Sequence, residues 1–161
     1  MTAYIHIGTH KTGTTSIQSF LEINREFLLK QKIYCPRSCT MWNRVHHRMF
    51  KFILEEHCNT KTNNKNIVQN IKTTKYIQEF KKLKNEITEN SGNNFLFSDE
   101  WFSWWFISKE RVQIVKQFFN ELGFDKIVLI IYLRNFQDFF NSLSSEDIKN
   151  KNLVFHTDLP A

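Results

Sequence analysis

One stretch limits the possible folds of this chain more than any other. Gly8-Thr9-His10-Lys11-Thr12-Gly13-Thr14-Thr15 follows a short apolar run, Ala3 to Ile7. It precedes Ile17, Phe20, Leu21, Asn24 and Leu28, which recur with helical periodicity. A strand, a glycine-containing loop and a helix start in this order make an anion site. The loop N–H groups point inward, and the helix N-terminus adds partial positive charge. Lys11 brings a full charge, and Thr14 and Thr15 bring hydroxyls to the first turn. The expected ligand is a phosphate-like group.

The loop is not the standard nucleotide-hydrolase loop G-x-x-x-x-G-K-[ST], in which lysine directly follows the second glycine. Gly8 and Gly13 keep that glycine spacing, but Thr14 stands where the lysine would be and Lys11 precedes Gly13 by two residues. This displacement speaks against ATP hydrolysis. Lys11-Thr12-Gly13-Thr14-Thr15 instead resembles the 5′-phosphosulfate loop of sulfotransferases. Those enzymes take a sulfuryl group from 3′-phosphoadenosine 5′-phosphosulfate (PAPS) and release 3′-phosphoadenosine 5′-phosphate (PAP).

Such a donor carries a second anionic group, so a second cationic site is required. Ile127-Val128-Leu129-Ile130-Ile131-Tyr132-Leu133 is the strongest strand candidate, and its unbroken apolar character predicts burial on both faces of a parallel sheet. It runs into Arg134, and Ser142 follows eight residues later. Arginine's planar fork can bind phosphate oxygens bidentately and stays charged at any relevant pH. Two helical turns put Ser142 roughly 12 Å beyond Arg134 along the axis, so Arg134 must sit at the strand–helix corner to converge with it. This element is similar to the sulfotransferase 3′-phosphate site, a strand ending in Arg with a Ser on the next helix. Two departures stand out. Ser16 occupies a position where many cytosolic relatives carry a Trp that stacks on adenine, and Phe136 occupies one where the family often has Pro.

Transfer to a hydroxyl also needs a base. Asn94-Phe95-Leu96-Phe97 reads as a buried strand leading into Ser98-Asp99-Glu100-Trp101. Ligands bind at the carboxyl ends of strands in open parallel sheets. The segment looks like the Ser-x-Glu stretch of bacterial sulfotransferase-like proteins, and Golgi-type relatives use a glutamate base. Glu100 is therefore favoured over Asp99. The competing reading makes Ser98 or Asp99 the cap of a short helix, Trp101 to Phe106, with Glu100 in its first turn. His46 and His47 are the other candidates, as substrate-facing residues, because cytosolic members use histidine and its ordinary pKa suits proton transfer. They fall in an expected helix over 42–58, where one of the pair would face solvent. His6 reads as a buried hydrogen-bonded residue, and His10 as a loop residue with no required role.

The whole reading predicts one domain over 1–161, α/β in class. The expected order is strand 3–8, helix 14–31, an extended piece at 33–36, helix 42–58, helix 66–90, strand 94–98, helices within 100–122, strand 126–133 and helix 135–148. Strands alternating with helices imply a mainly parallel sheet flanked by helices, and the resemblance implies the P-loop nucleotide-binding architecture. Net charge is +6, with sixteen Lys against six Arg. Seven Lys against three Glu lie in Asn59 to Asn90. Without interleaved aromatic and Arg residues, this stretch reads as a solvated helix face with Ile71, Phe80, Leu83 and Ile87 turned inward, after a linker over 59–65. Nucleic acid is not an expected partner. Cys35, Cys39 and Cys58, with His57, match no common zinc spacing; free thiols and no metal are expected. No apolar run reaches the roughly 18 residues of a membrane span, and the chain opens directly into a strand, so a cytoplasmic location is expected.

The resemblance also implies a later glycine- and lysine-bearing loop that closes over the donor, and no G-x-x-G-x-x-K segment follows Ser142. A truncated chain, a partner chain completing the site and a reduced member that binds without turnover all fit that pattern. The leading expectation is a PAPS-dependent sulfotransferase acting on a small-molecule or carbohydrate hydroxyl or amine. In that reading Lys11 stabilises the leaving bridging oxygen, Thr12 to Thr15 surround the 5′ end, Arg134 and Ser142 hold the 3′-phosphate, and Glu100 is the base. A non-catalytic nucleotide-binding remnant and a P-loop small-molecule kinase are the alternatives.

Overall fold

The structure, a computed structural model, describes residues 1–9, 11–59, 66–67 and 70–149, the side chains of 146, 147 and 149 excepted. His10, residues 60–65 of the expected linker and residues 150–161 lie outside the described residues.

Four short apolar strands, β1 (Thr2–His6), β2 (Ile33–Tyr34), β3 (Asn94–Ser98) and β4 (Lys126–Ile130), form one sheet in the order β2-β3-β1-β4. Every pairing is parallel. Helices α1 (Thr14–Ile23), α2 (Arg25–Lys30), α3 (Met49–Asn59), α4 (Thr74–Glu89), α5 (Phe102–Trp105), α6 (Lys109–Glu121) and α7 (Phe136–Lys149) connect or follow them. The chain is α/β with helices flanking an all-parallel sheet. The register sets His6 level with Ser98 on one side and Ile130 on the other, so the carboxyl ends of the three strands emerge side by side.

Alternation along the strands divides the interior. Ala3, Ile5, Phe95 and Phe97 join the main core with Phe50, Phe80, Phe118, Phe119 and Phe124. Phe97 stacks edge-on against Phe119 and Phe124, at centroid distances of 5.2 and 5.6 Å. Each fully buried ring contributes about 1.5–3 kcal/mol in transfer free energy. A smaller cluster holds Leu21, Cys35 and Val45, with Ile17, Leu28 and Leu96 packed against it. Among the described helices, none is long and apolar enough to cross a membrane.

Several expected boundaries shift for local reasons. The helix over 14–31 breaks at Asn24, whose Nδ2 donates to the Phe20 carbonyl and closes α1. The helix over 66–90 begins only at Thr74, because the N–H groups of Lys72 and Thr73 donate to Glu56 Oε1 and hold that segment against α3. Ser108 separates α5 from α6 by accepting from the Arg111 N–H as an N-cap. The strand over 126–133 ends at Ile130 and is not buried on both faces. With β1 as its one paired neighbour among the described residues, β4 is an edge strand, and Leu129, Ile131, Tyr132 and Leu133 are exposed.

The helix over 42–58 is also shortened at its start. It starts at Met49, and Trp42 and Asn43 have positive φ values of 60° and 50°, which a helix does not allow. Both histidines of the pair are buried, at 2 % and 0 % exposure. His47 stacks on Phe50 and meets the edge of Phe97. Its backbone N–H donates to the Ser98 carbonyl, and its Nδ1 accepts from the Ser98 N–H. A substrate-facing role for His47 is therefore ruled out by its place in the core.

Burial first, then the Arg25 charge, lowers the His47 pKa from 6.5 to about 3. The unfolded chain takes up this proton near 6.5, and the folded chain resists it until about 3. Stability from this residue is complete above 6.5 and is lost as pH falls through that window. Urea unfolding is expected to show wild-type stability falling between pH 7 and pH 5 by on the order of 1 kcal/mol per pH unit. His47→Leu should lower stability at pH 7 and flatten that slope; parallel slopes would contradict a neutral buried imidazole.

Candidate anion-binding cleft

The loop after β1 turns by local geometry that its sequence permits. Gly8 has φ 28°, and a Cβ there would sit 2.7 Å from Thr14 Cγ2 and 3.1 Å from His6 Nε2. Gly13 takes the left-handed conformation (φ 81°, ψ 20°) as the N-cap of α1. Lys11 also has positive φ, at 64°. Thr12 Oγ1 donates to the Thr9 carbonyl at 2.6 Å, so this threonine closes the loop internally. Among the described residues, no side chain caps α1. Its first-turn N–H groups are the unsatisfied donors from which anion sites are built.

A cleft of about 370 Å³ opens at this point, lined by Lys11, Gly13, Thr14, Thr15, Glu100, Arg134 and Ser142. Three segments far apart in sequence meet there, each following the carboxyl end of a strand. Arg134 Nη1 donates to the Lys11 carbonyl at 2.9 Å, tying the chain after β4 to the loop after β1. The N–H groups of Ile7 and Thr9 continue the ladder to the carbonyls of Ile130 and Tyr132. Two cationic side chains, backbone donors and hydroxyls face one space, and a single carboxylate shares it.

Asp99 and Glu100 divide the tasks that the sequence left open between them. Asp99 is fully buried, and its Oδ1 accepts from the Trp101 N–H at 3.0 Å, capping the turn into α5. Arg48 Nη1 lies 3.5 Å from the same oxygen. Glu100 lines the cleft, with its Oε2 accepting from Gln18 Nε2 at 2.8 Å. His46 Nε2 lies 3.4 Å from that oxygen and 3.3 Å from Asp99 Oδ1. His46 therefore stands behind Glu100, while His47 points into the core. His6, expected to be buried and bonded, pairs through Nδ1 with Ser98 Oγ at 2.8 Å. Burial lowers its pKa, and the Glu100 charge partly opposes the shift.

Gln18 was not anticipated. It is 1 % exposed, one turn after Thr14 and beside Ile17 and Leu21. A polar residue on an otherwise apolar helix stripe was the available signal, because a buried amide needs a partner.

Beside the cleft lies an apolar groove of about 410 Å³ between α1 and β4. Ser16, Phe20, Ile130 and Tyr132 are among its walls. Cys35 and Cys39 are buried thiols whose pKa values burial pushes up, Cys35 to about 11.

No protein-family model matches the chain, and no curated protein or solved structure is significantly similar to it. The site's chemistry therefore has to be read from its own residues.

The two loop glycines provide a test of the geometry. Gly8→Ala meets Thr14 and a positive φ together, and should cost about 2–3 kcal/mol. Gly13→Ala meets open space, so only the left-handed backbone opposes it, at about 1–2 kcal/mol. Denaturant unfolding of the two variants should preserve that order; equal losses would contradict the packing at Gly8.

Proposed function

We propose that this chain is a sulfotransferase of the P-loop nucleotide-binding architecture, taking a sulfuryl group from PAPS to a hydroxyl or amine of a small molecule or carbohydrate. One observation carries the reading. The two segments expected to hold the two ends of such a donor, Lys11 to Thr15 and Arg134 with Ser142, line the same cleft, and Glu100 lines it with them.

The residues fit the donor's charges. The loop N–H groups, Lys11 and the hydroxyls of Thr14 and Thr15 suit the 5′ phosphosulfate. Arg134 and Ser142 suit a phosphate on the 3′ oxygen, the feature that distinguishes this donor from ATP. The groove beyond Ser16 offers Phe20 and Tyr132 as flat surfaces for the base, where relatives use a tryptophan at the Ser16 position.

Transfer breaks the bond from sulfur to the bridging oxygen and forms one from sulfur to the acceptor oxygen. Lys11 neutralises the charge that develops on the departing oxygen. Glu100, which lines the same cleft, takes the acceptor proton. Positioning supplies the remainder, since both partners are held in one space.

Calorimetry with PAP, AMP and ATP tests donor recognition. PAP is expected to bind at least about tenfold more tightly than AMP, with Arg134→Ala removing most of that difference. Equal affinities, or an unchanged PAP preference in Arg134→Ala, would refute the assignment; tight magnesium-dependent ATP binding would favour a kinase.

Chemistry has its own test. Glu100→Gln should leave PAP affinity within about threefold and lower sulfuryl transfer about 10²- to 10⁴-fold. PAP binding without transfer by the wild type, to a panel of phenols, sugars and amines, would support a binding protein instead.

A further inference from the structure

Two carboxylates converge on one ring nitrogen just behind the cleft. His46 Nε2 lies 3.3 Å from Asp99 Oδ1 and 3.4 Å from Glu100 Oε2. The opposite ring nitrogen, Nδ1, is buried and has no hydrogen-bond partner among the described residues. A neutral imidazole carries its proton on the nitrogen that faces acceptors, which here is Nε2. The hydrogen bond runs to Asp99 Oδ1, and Glu100 Oε2 lies at ion-pair distance from the same ring nitrogen.

The ring is 2 % exposed, so it cannot itself meet an acceptor molecule in the cleft. Glu100 does line the cleft. We propose that His46 is a positioning residue for Glu100. Its Nε2–H and the Gln18 amide grip Oε2 from behind and set the carboxylate toward the cleft. Asp99, fixed by the Trp101 N–H and Arg48, holds the other side of the imidazole. Trp42 closes over the ring at a centroid distance of 4.8 Å.

The same three side chains have ligand atoms within 4.8 Å of one another, a spacing that a divalent cation could bridge. The local charge argues against one. Arg48 lies beside Asp99, and Lys11 and Arg134 share the cleft with Glu100, so positive charge is already supplied. The inference rests on Glu100 as the base of the proposed reaction, but its hydrogen bond can be measured without any turnover.

NMR of the ¹⁵N-labelled chain should find the His46 ring as the Nε2–H tautomer, with that signal shifted in Glu100→Gln. A ¹³C titration of the Glu100 carboxyl should then separate two variants. His46→Phe removes the donor and should raise the midpoint by about one unit, a tenfold change in acid dissociation. His46→Gln keeps an amide N–H near the same place and should restore most of the wild-type value. Lys11, His6, Asp99, Arg48 and Arg134, which also bear on this carboxylate, remain in both variants. The difference therefore isolates the imidazole. In both variants PAP affinity should stay within about threefold of wild type.

An Nδ1–H tautomer, or a Glu100 titration unmoved by His46→Phe, would overturn the proposal. So would stoichiometric binding of Mn²⁺ or Zn²⁺ that Glu100→Gln abolishes, which would make the cluster a metal site. Failure of PAP to bind would remove the sulfotransferase reading alone, because the tautomer and the titration are read on the free protein.

Discussion

The central place of β1 is the constraint from which the cleft follows. Parallel pairing to β3 on one side and β4 on the other makes three strands end at the same level. The segments that leave them, 7–13, 99–101 and 131–135, must then emerge together. Residues more than a hundred positions apart become neighbours through the strand pairing itself. The Arg134 bond to the Lys11 carbonyl completes the join. Had β4 paired elsewhere, Lys11 and Arg134 would not face one space.

Beneath the cleft lies a buried polar layer that would be costly if its groups were unpaired. His6 bonds to Ser98, His47 bonds to the Ser98 backbone in both directions, and His46 stands between Asp99 and Glu100. The irregular stretch before α3 is thereby fastened to the end of β3 by its histidines. Among the described residues, Asp99 Oδ2, His46 Nδ1, His6 Nε2 and His47 Nε2 of this layer find no hydrogen-bond partner, and such incompletely satisfied groups call for a functional explanation. This layer backs Glu100, while Lys11, Gly13, Thr14 and Thr15 of the loop after β1 line the cleft itself.

Much of this was legible in the residues because strong local rules governed it. The glycine spacing and the switch from apolar run to helical period located the first loop. The apolar runs located β3 and β4. The Arg134–Ser142 spacing and the Ser98-Asp99-Glu100 corner named groups that line one cleft. Other parts depended on tertiary contacts that no period records. Positive φ at Trp42 and Asn43 keeps the first stretch of the expected helix, about two turns, out of α3, and His46 and His47 are both buried there. Whether β4 had one neighbour or two depended on sheet order, so its apolar sequence suggested more burial than it has. Gln18 drew no expectation, because its partner Glu100 is distant in sequence.

A crystal structure of the chain with PAP tests the central claim most directly, because it locates both phosphates at once. The account predicts the 5′-phosphate on the backbone of Gly13 to Thr15 with Lys11 beside it. It predicts the 3′-phosphate within hydrogen-bond distance of Arg134 and Ser142. A nucleotide bound elsewhere, or with its 3′-phosphate in solvent away from Arg134, would contradict it.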